Sequence, residues 1–215
     1  MSVDGRVARL GDRAGPSDQV SVDGRPVSLR AAGAPPRVIL YHKPVGELVT
    51  RRDPGGRPTV FARLPPLKGG KWAAVGRLDL NTSGLLLLTD SGELANRLMH
   101  PRYEVLREYA VRALGRLGPS ERRRLLSGIE LEDGLAALER IDGHGGDSGA
   151  NRWYRVALRE GRNREVRRLF EAIGMRVNRL IRTGYGPVQL PRDLEPGQWR
   201  ELEPRRVREL LSATA

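Results

Sequence analysis

Four consecutive leucines, Leu85 to Leu88, stand between the polar turn sequences Asn81-Thr82-Ser83-Gly84 and Asp90-Ser91-Gly92-Glu93. An apolar run this short, bounded by turn residues at both ends, reads as a strand, Leu85 to Thr89. Ahead of it Trp72 to Val75 reads as another strand. Gly76-Arg77-Leu78-Asp79 is therefore confined between two hydrophobic strands, which would hold it rigidly while leaving it at the domain surface. Any fold for this chain must place one carboxylate, Asp79, on that anchored turn.

The rest of the chain adds more strands than helices. Arg37 to Tyr41 reads as a strand stopped by Lys43-Pro44, and Asp53 to Pro66 as mostly loop. Asp90 followed by Glu93 resembles a capping box, opening a helix with Leu94, Ala95, Leu98 and Met99 on one face and ending before Pro101. Arg107 to Leu114 is expected as a strand, Ser120 to Leu126 as a basic helix, and Ala136 to Ile141 and Trp153 to Leu158 as strands around a loop at Gly143-His144-Gly145-Gly146. Asn163 is expected to cap a helix whose Val166, Leu169, Phe170 and Ile173 repeat at helical spacing and which Gly174 ends. A strand over Val177 to Arg182 and a helix over Arg205 to Leu211 follow. Elements mixed in this way, without a regular βαβ repeat, predict an α+β fold. Residues 1–30 are short strand-like pieces with a hairpin signal at Asp23-Gly24, and Ala31 to Pro36 reads as a linker.

With 38 Lys and Arg against 26 Asp and Glu, the formal charge is +12, and arginine dominates. That balance points to nucleic acid or another polyanion as partner, and arginine suits bidentate phosphate contacts and base stacking. An acid kept in such a chain is a candidate for chemistry on the nucleic acid, since the backbone itself calls only for cations. The absence of cysteine excludes disulfides and thiolate metal sites. His42, His100 and His144 lack metal-ligand spacing, and no apolar run approaches membrane-spanning length. A cytoplasmic monomer without metal or organic cofactor is the expectation.

Three groups of residues could carry chemistry. Asp79, with Arg77 two residues away, could serve as nucleophile, general base or, least favoured without a second carboxylate at suitable spacing, metal ligand, or it could be an ordinary turn aspartate paired with Arg77. Tyr109 could stack on a base, or belong to the core with Val111 and Ala113 on the same strand face. The segment Gly161 to Arg168 leaves Arg164, Arg167 and Arg168 opposite the apolar helix face, with Arg162 just before the helix start, where free amides also favour an anion. Arg176, Arg179 and Arg182 extend the basic stripe onto the next strand.

Taken together, Gly76 to Asp79, Gly92-Glu93-Leu94-Ala95-Asn96-Arg97-Leu98-Met99-His100-Pro101, Arg107-Glu108-Tyr109-Ala110-Val111 and Glu160 to Arg168 resemble, in this order, the motifs of bacterial ribosomal RNA pseudouridine synthases. The resemblance runs from about Arg37 to Glu203. Glu47-Leu48-Val49-Thr50-Arg51, Gly56 to Phe61 and Asn163-Arg164-Glu165 look most like the large-subunit (23S) enzyme acting near the peptidyl-transferase centre. It implies a catalytic domain over 34–215 with a mixed, largely antiparallel central sheet flanked by helices. It also implies a small N-terminal β segment and linker, 1–33, similar to the last part of an S4-type RNA-binding module. The helices that precede these strands in such a module do not occur ahead of Val3. The catalytic domain is expected to fold regardless, with 1–33 loosely attached.

The resemblance assigns roles. Asp79 matches the aspartate that begins breaking the N1–C1′ glycosidic bond, after which uracil rotates and rejoins through C5. Tyr109 matches the tyrosine that packs against the base and helps remove the C5 proton. Arg162 matches the basic partner of the aspartate, a role Arg164 or Arg167 could share. Arg77 matches the arginine linked to opening the RNA, while Asn81, Arg107, Arg164, Arg167 and Arg168 are expected at RNA. The implied partner is 23S rRNA or a large-subunit assembly intermediate. The alternatives are a synthase for a uridine in 16S rRNA or tRNA, and a non-catalytic rRNA-binding assembly protein.

Overall fold

The computed structural model describes residues 1–9, 11–15, 17–27, 35–67, 70–144 and 150–213. Most of the expected linker and the Gly145-Gly146 part of the expected loop lie outside them.

Two hairpins open the chain. β1 (Ser2–Val3) pairs with β2 (Arg6–Val7) and β3 (Val20–Val22), and β3 pairs with β4 (Arg25–Val27). Asp23 and Gly24, at φ 52° and 72°, form the two-residue turn that the sequence signals. These four strands make a sheet of their own.

The main body holds β5 (Val38–Lys43), β6 (Ala73–Ala74), β7 (Ser83–Thr89), α1 (Gly92–Met99), β8 (Arg107–Leu114), α2 (Pro119–Ser127), β9 (Ile129–Leu131) and β10 (Gly134–Ala136). β11 (Arg140–His144), β12 (Asn151–Leu158), α3 (Glu165–Ala172), β13 (Val177–Tyr185), β14 (Val188–Gln189), β15 (Trp199–Glu201) and α4 (Pro204–Ser212) follow. The central sheet runs β11-β12-β8-β13-β7-β5-β15, with β14 on β13 and β6 on β7. The fold is α+β, as expected. The expected strand Ala136 to Ile141 is broken: β10 closes a hairpin with β9, and β11 joins the main sheet.

β7 explains the leucine run. Leu85 and Leu87 pack under α1 and α4, while Leu86 and Leu88 join Ile39, Tyr41, Val60 and Trp72 on the opposite face. A strand buried on both faces has no polar alternation to keep. Beyond β13 a third apolar cluster unites Val111, Tyr154 and Val156 with Leu169 and Phe170 of α3.

The halves meet at β7 and β13, the one parallel strand pair among the described residues, in register at Ser83 with Ile181 and Gly84 with Arg182. Gly84 has φ 108°, and a Cβ there would lie 2.2 Å from the Arg182 carbonyl oxygen. Only glycine permits this approach.

Two helix starts depart from the sequence reading. Ser91, not Asp90, caps α1: its Oγ accepts from the Leu94 amide at 3.2 Å, while Asp90 Oδ1 accepts from the Arg37 amide at 2.9 Å. Arg164, not Asn163, is the residue before α3.

Candidate active site

A cleft of 1010 Å³ opens along the seam between β7 and β13, lined by residues that include Asp79, Tyr109, Leu180 and Arg182. Its volume is at the upper end of the ~300–1,000 Å³ usual for small-molecule pockets, with room for a nucleotide and flanking backbone.

The Asp79 turn is fastened through all four of its carbonyls. Lys43 at the end of β5 is fully buried, and its Nζ donates to the carbonyls of Asp79 at 3.1 Å, Thr82 at 2.9 Å and Pro44 at 3.0 Å. The Gly46 amide donates to Leu80 at 2.8 Å, and Arg167 Nη2 donates to Asn81 at 3.0 Å. Burial pushes the Lys43 ammonium down to about 8, and the Glu47 and Asp79 carboxylates oppose that shift. Glu47 is itself buried, accepting from the Tyr41 hydroxyl at 2.5 Å and pairing with Arg63 at 2.7 Å. Burial, with the Glu47 hydrogen bond and charge, raises the Tyr41 phenol.

The cation beside Asp79 is Arg164. Its Nη1 lies 3.8 Å from Asp79 Oδ2, a partly exposed pair. Arg164 takes φ 49° and ψ 27°, a left-handed conformation that costs a non-glycine residue about 1 kcal/mol or more. Glu165 supports that turn, its Oε2 accepting from the Arg162 amide at 3.0 Å. Glu165 is buried, and burial raises its carboxyl, helped by Glu160 and opposed by the Arg162 amide and by Arg162 and Arg107.

Arg162 does not pair with Asp79. It pairs with Glu160 at 2.5 Å, and its guanidinium donates to the carbonyls of Asp133, Gly134 and Leu135 in the β9–β10 hairpin. Arg168 grips the same hairpin, bidentate to Asp133 at 2.7 and 2.8 Å. Arg167 departs from the expected basic face. It is buried, donating to Val177 as well as Asn81, and desolvation with the Arg164 charge lowers it while Asp79 and Glu171 oppose. Arg77 and Asn81 are exposed on the rim.

Tyr109 is half-buried at the junction of two apolar clusters, with Arg182 opposite it across the β8–β13 pair. Arg107, two residues earlier, is buried and donates to the carbonyls of Val105 and Arg159 and to the Tyr185 hydroxyl. Two guanidiniums, those of Arg107 and Arg182, lie over the Tyr185 ring at 5.2 and 5.0 Å from its centroid. Lys43, Glu47, Glu165 and Tyr185 escaped the sequence reading. For Lys43, Glu47 and Glu165 the one signal is a charged residue next to or one residue from an apolar stretch, whereas Tyr185, between Gly184 and Gly186, gives none.

Among the described residues no group of three or more histidines or carboxylates could hold a metal, and no helix is long and apolar enough to cross a membrane.

Residues 37–172 match the family model described as RNA pseudouridylate synthase. The ribosomal large subunit pseudouridine synthases B of Shigella flexneri and of Escherichia coli strain K12 are each 56% identical over 206 residues, or 94% of this chain, and 71% and 70% of those proteins are covered. A crystal structure of a pseudouridylate synthase superposes with a TM-score of 0.72 over 97% of this chain and 87% of that one, at 24% identity, and so agrees in fold. An archaeal Nop10–Cbf5 complex of the box H/ACA particle gives a TM-score of 0.51 at 21% identity, covering 75% of this chain and 51% of that one. The family match over most of the main body, together with relatives this similar along nearly the whole chain, makes this protein a member of the RNA pseudouridylate synthase family.

Proposed function

We propose that the protein isomerises a uridine of large-subunit (23S) ribosomal RNA to pseudouridine, with Asp79 as the catalytic carboxylate. The observation that carries this reading is the fastening of the Asp79 turn. Lys43 and Arg167 hold its carbonyls from inside the protein and Gly46 from the adjoining exposed loop, which leaves the side chain facing the cleft that Tyr109 lines. A carboxylate held this way meets C1′ of a flipped nucleotide without reorganising as the bond breaks. The Tyr109 ring offers the base a face to pack on, and Arg164 keeps a cation beside the carboxylate. The target uridine must leave its stack at a cost of a few kcal/mol. Contacts from Arg77 and the other exposed arginines to phosphates offset that cost. The rRNA specificity rests on the large-subunit synthases B, 56% identical over 94% of the chain.

The test uses 23S and 16S rRNA from cells lacking the protein. Wild-type protein should form pseudouridine at a discrete 23S position. Asp79→Asn should reduce the rate by about 10³-fold or more while still binding RNA. Modification of 16S rRNA alone would overturn the substrate, and an active Asp79→Asn would overturn the role of Asp79.

A further inference from the structure

Arg182 has no part in the roles set out above, yet its position is unusual. It lies on β13 opposite Tyr109, lines the cleft and is 2% exposed. Its Nε donates to the Leu85 carbonyl at 2.7 Å, and its guanidinium lies over the Tyr185 ring. Its Nη2 is shut off from solvent and has no hydrogen-bond partner among the described residues. A buried, charged donor without an acceptor costs several kcal/mol unless something completes it. The nearby ionisable groups do not neutralise it. Tyr185 directs its hydroxyl to the Leu98 carbonyl, Arg107 adds a second positive charge, and Asp79 is paired at the rim with Arg164. The approach at Gly84 fixes the Arg182 backbone against β7 beside the cleft, while the side-chain torsions beyond it leave Nη2 free to turn toward a base that enters.

Resting on the uridine-isomerising function proposed above, we infer that Arg182 is a further catalytic residue, whose free Nη2 donates to a carbonyl oxygen of the target uracil and stabilises the detached base. When N1–C1′ breaks, its electron pair stays on the base, and uracil departs as an anion with the charge shared among N1, O2 and O4. The electron deficiency at C1′ is met by the Asp79 carboxylate. Rotation about the axis through N3 and C6 exchanges N1 with C5 and O2 with O4, so one fixed donor meets an equivalent carbonyl before and after the turn. The C5–C1′ bond then forms from the base's electron pair, C5 loses its proton, and N1 gains one. Nothing is oxidised or reduced, and the product is an isomer of the substrate. A guanidinium in a site closed to water stabilises such charge far better than one at a surface.

The discriminating measurement compares leaving groups. Wild type, Arg182→Met and Arg182→Lys are assayed in single turnovers on a 23S fragment carrying uridine or 5-fluorouridine at the target. Fluorine makes the departing base more acidic and so less in need of a cation. Arg182→Met should lose on the order of 10²–10³-fold in rate on uridine, as loss of one oxyanion donor does elsewhere, with RNA affinity within about twofold of wild type. Its deficit on 5-fluorouridine should be at least about fivefold smaller. Because the comparison is a ratio on one preparation, partial loss of folded protein cancels. If Arg182→Met does not fold, Arg182→Lys carries the same ratio, with a smaller deficit. An equal deficit on both substrates, or weakened binding at an unchanged rate, overturns the proposal. Failure of wild type to modify the uridine fragment would count against the proposed function instead.

Discussion

Lys43 holds the Asp79 turn with a charge that burial weakens, and this makes the turn sensitive to pH. The ammonium donates three hydrogen bonds to carbonyls, whereas the neutral amine has only two hydrogens and turns a lone pair toward the third oxygen. With Lys43 lowered to about 8, catalysis should decline as pH rises through that value. The stability effect has the opposite sign. The folded-state value lies below the unfolded one of about 10.4, so between them the unfolded chain binds more protons and stability rises with pH. Wild type should therefore lose rate between about pH 8 and 10 while its Lys43-dependent resistance to urea increases. Lys43→Met should be slow throughout and lack this limb. Rate profiles and urea titrations of the two proteins check the pair of trends, and a shared alkaline limb would remove Lys43 from the explanation. The sequence made Asp79 legible because its turn lies between two apolar runs. It did not reveal which arginine stands beside it. Arg164, Arg167 and Arg168 fall together on a helical wheel, and only contacts outside the helix, with Asn81, Val177 and Asp133, separate the buried one from the others.

At the scale of elements, the seam between β7 and β13 brings Asp79 to Tyr109. Gly84 permits it, because a Cβ there would also meet the Arg182 nitrogen at 2.6 Å, and backbone cannot yield as a flexible side chain can. Gly84→Ala should cost more than about 3 kcal/mol and part the two halves of the sheet. Gly92→Ala in the first turn of α1, where a Cβ meets nothing within 4 Å, should stay within about 0.5 kcal/mol. Urea midpoints decide it, and equal effects at the two glycines would show that the close approach is not what holds the seam. The other elements were legible in proportion to how local their causes are. α1 and α3 follow from apolar spacing within one segment, α2 and α4 extend one residue beyond each expected limit, and β8 agrees with its expected limits. The cap of α1 was misread because Asp90 and Ser91 are both able, and the competitor for Asp90 is the Arg37 amide, 53 positions away. The break between β10 and β11 arises where the Leu138 amide donates to the Leu125 carbonyl at 2.8 Å, again a contact between segments.

Over the whole molecule, charge is divided between two tasks. The formal charge of +12 lies largely on exposed arginines such as Arg77, while the arginines nearest the chemistry donate to the protein itself: Arg107 to Val105 and Tyr185, Arg167 to Val177 and Asn81, Arg182 to Leu85. The exposed set acts through a field that salt screens over about 8–10 Å, and the buried set is screened much less. Affinity and chemistry should then respond differently to ionic strength. Raising salt from about 50 to about 200 mM should weaken RNA binding by roughly 10³-fold if six or more phosphates are neutralised. The single-turnover rate at saturating RNA should change by less than about threefold over the same range, because Lys43, Arg167 and Arg182 lie out of reach of the screening ions. Arg77→Ala should lower the slope of log affinity against log salt by about one and leave the cleft's hydrogen bonds intact. Filter binding and single-turnover assays on one rRNA fragment measure both quantities. A saturated rate that fell in parallel with affinity would mean that the rim arginines enter the chemical step, and Arg164, the cation beside Asp79 that remains partly exposed, would be the first residue to examine.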